Sequence, residues 1–257
     1  MMKLLLFDLD ETLLTSAKTI SPRTLAALDA CRARGLLLGV STSRGEHNVR
    51  LCMGDFHPDI LVASGGAVVI MGDERIHEAA IPVVETRFVI DAARRICGDD
   101  CGFSVDTADA HYGNFEVDPR YVYMNWGESI YSDFRDFTLP ALKISVEIPD
   151  PEKAAALRSL LPHLDFEHFS GGCWYKFTRQ GATKEHSIEV VCAALDISPG
   201  EIVAFGDDNS DIGMLRSCGI GVAMGNAIEA VKAAADIVIG GNDEDGIAAY
   251  LENCILR

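Results

Sequence analysis

Strand-sized apolar runs recur along the chain, each breaking off into small, polar or acidic residues: Leu4 to Phe7, Leu36 to Val40, Ile60 to Ala63, Ile202 to Phe205, Ile220 to Ala223 and Ile237 to Ile239. Unbroken hydrophobicity, rather than alternation, marks strands covered on both faces, the pattern of a parallel sheet flanked by helices. Helical segments lie between them. Ser21-Pro22 predicts a capped helix start with proline in the first turn, and Gly35 closes that helix after Arg32 and Arg34. Further helices are predicted over Ile188 to Leu195, Ile212 to Cys218, Ala227 to Ala235 and Glu244 to Leu251. Val68 to Met71 predicts a strand turning through Gly72-Asp73 onto Arg75 to Glu78. This alternation predicts an α/β fold with a Rossmann-like parallel-sheet core.

The pattern changes in the middle. Of 19 aromatic residues, 15 fall between Pro82 and Thr178, which points to a module with its own core. Leu142 to Ile148 alternates apolar and polar, predicting a strand with one wet face, and Trp174-Tyr175-Lys176-Phe177 reads similarly. Helices are predicted from Val84 to Cys97 and, opened by Asp150, from Pro151 to Leu161. The expected organisation is a core of residues 1–81 and 179–257 with an α+β insertion, 82–178, hinged near Gly181.

Two strand ends are acidic. Phe7-Asp8-Leu9-Asp10-Glu11-Thr12 follows the first run and Gly206-Asp207-Asp208-Asn209-Ser210-Asp211 follows Ile202 to Phe205. If the first strand runs on, Asp8 and Asp10 share a face. Asp8, Asp10, Asp207 and Asp211 brought to one sheet edge would repel without a cation. An all-oxygen set with no His or Cys nearby in sequence favours a hard ion, Mg²⁺ before calcium, whose loop spacing is absent. Val40-Ser41-Thr42-Ser43-Arg44 leaves its strand where a helix opens, a setting for an anion, although Ser and Thr cap helices everywhere. Lys184 opens a helix, where the dipole disfavours a cation unless an anion sits beside it.

In this order the motifs resemble those of the haloacid dehalogenase superfamily of aspartate-nucleophile phosphatases, in particular its bacterial sugar-phosphatase-like, Cof-type branch with a large α/β cap. Asp8, Asp10 and Thr12 match its Asp-x-Asp-x-Thr motif. Thr42-Ser43-Arg44 matches Thr-Gly-Arg with Ser43 in place of Gly, Lys184 matches the third motif's lysine, and Asp207 with Asp211 matches the fourth, Ser210 replacing Asn. Gly221 to Ala227 is similar to the segment after that motif, while Ser64-Gly65-Gly66-Ala67 departs from the branch's Asn-Gly-Ala. The resemblance implies Mg²⁺-dependent hydrolysis of small phosphomonoesters, sugar phosphates foremost, through an aspartyl-phosphate. Asp8 would be the nucleophile and Asp10 the general acid and base. Metal would rest on Asp8, the Asp10 carbonyl and Asp207, with Asp211 orienting metal-bound water. Thr12, Thr42, Ser43, Arg44 and Lys184 would meet the phosphate, and Glu11 to Ile20 would form a flap. Substrate choice is expected in the cap, at Tyr123, Asn125 and Trp126 and at Gly171 and Gly172, since aromatic faces with nearby amides suit a sugar ring.

Charge and composition narrow the partners. A net charge of -17 argues against nucleic acid or an anionic membrane, leaving a small phosphorylated metabolite attracted locally by Mg²⁺, Arg44 and Lys184. Asp8 interrupts the leading apolar run too early for a signal peptide, so a cytoplasmic protein is expected. The eight cysteines are scattered and read as small buried hydrophobes. Three rivals remain. A phosphomutase would share every catalytic residue; a phosphoacceptor signalling module needs neither Asp10 nor the insertion; a dehalogenase has little use for the acidic fourth motif. Oligomeric state does not follow from the sequence.

Overall fold

A computed structural model describes residues 2–115, 129–170 and 172–257. The first half of the core comprises β1 (Leu4–Phe7), α1 (Pro22–Ala33), β2 (Leu37–Ser41), α2 (Glu46–Cys52), β3 (Ile60–Ala63), β4 (Val68–Met71) and β5 (Glu74–Glu78). The middle contains α3 (Val83–Cys97), β6 (Phe103–Asp106), β7 (His111–Gly113), β8 (Ile130–Tyr131), β9 (Lys143–Glu147), α4 (Pro151–Leu160), β10 (Leu164–His168) and β11 (Trp174–Arg179). The chain then returns through α5 (Lys184–Leu195), β12 (Ile202–Gly206), α6 (Ile212–Ser217), β13 (Ile220–Ala223), α7 (Glu229–Lys232), β14 (Ile237–Val238) and α8 (Gly246–Tyr250).

One sheet has the order β14-β13-β12-β1-β2-β3-β4-β5, parallel from β14 to β3 and closed by the antiparallel pairs β3–β4 and β4–β5. Every residue of β1 is fully buried, as its unbroken apolar run requires. Ser21 caps α1 by accepting the Thr24 N–H, and Asp150 caps α4 by accepting that of Glu152. The C-terminal helices are shorter than their sequence spans: Ala227 and Ile228 lead into α7, and a turn at Asn242–Glu244 with Asp245 at φ 55° precedes α8. Among the described residues, no helix is long and apolar enough to cross a membrane.

The second sheet has the order β10-β11-β9-β6-β7-β8 and is antiparallel except for β7–β8. Its apolar face, with Phe103, Val105, Ile144, Val146 and Phe177, forms a separate cluster with Val89 and Ala93 of α3 and Leu157 of α4. The predicted wet face is not wet. Lys143, Ser145, Lys176 and Thr178 are all buried, because this polar face covers the carboxyl edge of the first sheet. Alternation reports which side of a strand is polar, and here the polar side meets another protein surface.

Candidate active site

β1 lies between β12 and β2, in register from Leu4↔Ile202 to Phe7↔Phe205, so acidic ends remote in sequence leave the sheet side by side. The Phe7 and Phe205 rings stack at 4.6 Å, and the Asp8 N–H donates to the Phe205 carbonyl at 2.9 Å. The strand does not run on to Asp10. Residues Leu9–Leu13 form a wide turn, closed by Leu13 N–H to Asp8 O and Leu14 N–H to Leu9 O, with Glu11 at φ 58°. Asp8 and Asp10 therefore do not share a strand face.

Asp8, Asp207 and Asp211 each place a carboxylate oxygen within 4.8 Å of the others. Lys184, buried at the start of α5, donates to Asp8 Oδ1 at 2.5 Å and to Asp211 Oδ1 at 2.6 Å. That is the anion expected beside this lysine. Asp211 Oδ2 also accepts the Asp207 and Asp208 N–H groups at 3.0 and 3.1 Å, fixing the loop. A Cβ at residue 206 would lie 2.5 Å from Asp211 Cβ, so glycine is needed there. The loop's N–H groups are thus held by Asp211, and Ser210 leaves that hold intact. Thr12 Oγ1 donates to Asp207 Oδ1 at 2.7 Å, which engages its hydroxyl with a carboxylate.

Asp10 belongs to a different constellation. Its carboxylate receives a fork from buried Arg44, Nε to Oδ2 at 2.6 Å and Nη2 to Oδ1 at 2.7 Å, and Lys18 Nζ lies 3.2 Å from Oδ1. Thr42 is buried and its Oγ1 accepts the Arg44 N–H at 3.1 Å. Among the described residues, Ser43 Oγ is buried without a hydrogen-bond partner. Ser64, Gly65 and Gly66 all have positive φ. Their loop ties the site together: Ser64 N–H donates to Arg44 O, Gly65 N–H to Thr42 O, and a Cβ at 66 would collide with the Thr183 carbonyl oxygen.

Electrostatics separate the two acids. Burial, with the charges of Asp211 and Asp207, raises Asp8 well above the usual carboxylate range despite Lys184. Burial and Asp211 push Asp207 up to about 7. For Asp10, burial acts upward but Arg44 and Lys18 outweigh it and hold the group below its ordinary value. Lys184 is pushed down by burial yet raised overall by Asp211 and Asp8, so it stays charged. Three carboxylates within 4.8 Å of one another face the single ammonium of Lys184, an excess of negative charge. With an all-oxygen donor set, a hard divalent cation fits.

The second sheet adds groups that no motif announced. Lys143 Nζ donates to the Ser43 carbonyl at 2.6 Å and pairs with Asp106 at 2.9 Å; His111 Nδ1 lies 2.5 Å from Asp106 Oδ1. Asp106 packs so closely over Gly45 that a Cβ there would be 3.0 Å from its Cγ. Lys18, Asp106, Lys143 and Lys176 were missed; the signal for the last two was the polar set of the alternating strands. Ser170 N–H reaches Asp208 Oδ2 at 3.4 Å, bringing the predicted specificity loop to the edge of the acidic cluster. Gly172 is exposed, its carbonyl accepting from His168 Nε2 at 2.8 Å, while Tyr123, Asn125, Trp126 and Gly171 lie outside the described residues.

Known proteins share this fold. Residues 5–251 match the family model for haloacid dehalogenase-like hydrolases. The pyridoxal phosphate phosphatase YbhA of Escherichia coli is 31% identical over 97% of both chains. The 5-amino-6-(5-phospho-D-ribitylamino)uracil phosphatase YitU of Bacillus subtilis is 26% identical over 97% of this chain and 96% of its own. The structure of BT4131, described as a subclass IIB sugar phosphatase, superposes with a TM-score of 0.84 at 26% identity, covering 99% of this chain and 100% of that one. The acidic edge beneath a second, mixed sheet is therefore that of a phosphatase, and the chain belongs to the haloacid dehalogenase-like hydrolase family.

Proposed function

We propose that this phosphatase hydrolyses small sugar phosphates in two displacements, with Asp8 as nucleophile. The observation that carries the reading is Asp8 itself, buried at the end of the central strand, bonded to Lys184 and within 4.8 Å of Asp207 and Asp211. In the first step an Asp8 carboxylate oxygen bonds to phosphorus as the bond to the leaving oxygen breaks. In the second, water displaces Asp8. Asp10 gives its proton to the departing alkoxide in the first step and, left as the carboxylate that Arg44 and Lys18 stabilise, regains one from the attacking water in the second. Thr42, Ser43 and Lys184 face the phosphoryl oxygens, with the lysine's charge counting most as negative charge builds. Arg44, engaged with Asp10, acts on the phosphate side through that acid.

Asp8, Asp207 and the Asp10 carbonyl would hold Mg²⁺, with Asp211 behind them; bound there, it would screen the phosphate from the carboxylates. Residues 82–178 act as a cap over the edge, between core segments 1–81 and 179–257. The sugar preference rests on the likeness to BT4131; the identity with the pyridoxal phosphate phosphatase makes that ester the second reading. A panel of sugar phosphates, nucleotides, flavin mononucleotide and pyridoxal phosphate, assayed with Mg²⁺, tests it. Inorganic phosphate released fastest from sugar esters is expected. Conversion of a hexose phosphate to its isomer would indicate a mutase instead.

A further inference from the structure

Lys176 has no part in either displacement, yet its side chain is only 5% exposed and its ammonium lies against the loop that follows β3. Its ammonium rests on Gly65: a Cβ there would lie 2.8 Å from Nζ. Gly65 in turn donates its N–H to the Thr42 carbonyl at 2.9 Å, so Lys176 stands one residue removed from the phosphate-facing loop. With no side chain at Gly65, Lys176 occupies the room so left.

Its charge is poorly balanced. The carboxylate of Glu167 accompanies it at 2.5 Å, but burial, with the like charges of Lys184 and Lys143, drives its pKa down. The other lysines and arginines with a resolved shift, Lys18, Arg23, Arg44, Arg75 and Lys184, go up. Glu167 is 27% exposed and can turn to water, whereas Lys176 is enclosed. An oxyanion arriving from the phosphate side would complete the site.

We propose that Lys176 selects phosphomonoesters whose leaving group carries a second oxyanion, a carboxylate or another phosphate, over neutral ones. This rests on the phosphatase reading and narrows its substrate class. The test compares kcat/KM within two pairs: phosphoglycolate against 2-hydroxyethyl phosphate for the carboxylate, and fructose 1,6-bisphosphate against fructose 6-phosphate for the phosphate. The wild type should favour the charged member of one pair by about tenfold or more, the worth of one charge-assisted hydrogen bond. Lys176→Met should bring that ratio to within about twofold of one, and Lys176→Arg should retain it. Because a ratio is read, a general loss of activity cancels. If an unpaired Glu167 unfolds the methionine variant, Lys176→Met with Glu167→Gln removes both charges and serves instead. A wild type without preference, or a preference that survives the substitution, overturns the proposal. No phosphate released from any of these esters by the wild type with Mg²⁺, while pyridoxal phosphate is hydrolysed, would overturn both this proposal and the sugar-phosphate reading on which it rests.

Discussion

Replacing Lys184 by methionine removes the ammonium between Asp8 and Asp211 while keeping much of the side-chain volume, so the cavity contribution is small. Two buried carboxylates are left facing Asp207 with no compensating charge. Removing one partner from a buried ion pair costs about 3–5 kcal/mol. At about 2–4 °C per kcal/mol for a chain of this size, thermal midpoints in chelator should fall by about 6–20 °C at pH 8. The pH dependence has a definite sign. Without Lys184 the folded-state pKa of Asp8 rises further above its unfolded value, so the folded chain holds a proton that the unfolded chain releases. Stability from that proton is present at acid pH and is lost as pH rises through the folded pKa. The gap between variant and wild type should therefore widen from pH 5 to pH 8. Circular dichroism melts at both values measure it. A midpoint within about 2 °C of wild type at pH 8, or an equal gap at both, would refute the burial argument.

Asp8→Asn should leave the melting curve near wild type and lower turnover by about four orders of magnitude or more; retention of a tenth of the activity would exclude a nucleophilic role. Asp207, with its pKa pushed up to about 7, must lose a proton to bind metal. Mg²⁺ affinity should then weaken by about tenfold for each pH unit below 7, and calorimetric titrations giving equal affinities at pH 6 and 8 would contradict this. Gly66→Ala would drive a Cβ into the Thr183 carbonyl oxygen at a φ of 109°. It should cost upwards of about 2 kcal/mol and depress turnover by displacing Lys184; urea unfolding and steady-state rates check both.

The central strands were legible because burial on both faces leaves an unbroken apolar run, and β3, β4 and β13 match their predicted limits. The acidic ends were legible for the same reason: polar residues appear where the sheet stops. The path of the chain beyond Phe7 was not, since the Leu9–Leu13 turn is closed by its own backbone bonds and leaves no periodic trace. Lys143 and Lys176 were visible as the polar half of an alternation, but only tertiary structure says whether a polar face meets water or protein. Lys18, in an irregular loop at φ 57°, had no pattern to reveal its place beside Asp10. The ties among Ser64, Arg44 and Asp106 join segments distant in sequence through left-handed backbone, which residue type predicts for Gly65 and Gly66 better than for Ser64.

Covalent catalysis at Asp8 is tested most directly by quenching the enzyme during turnover of a sugar phosphate, reducing with borohydride and sequencing the peptides by mass spectrometry. An aspartyl-phosphate is reduced to homoserine, whereas a free carboxylate is not. Homoserine at position 8, dependent on substrate and absent from Asp8→Asn, is the expected result. Homoserine at Asp10 or Asp207, or none under conditions where the intermediate accumulates, would contradict the assignment of Asp8 as the group that carries the phosphoryl.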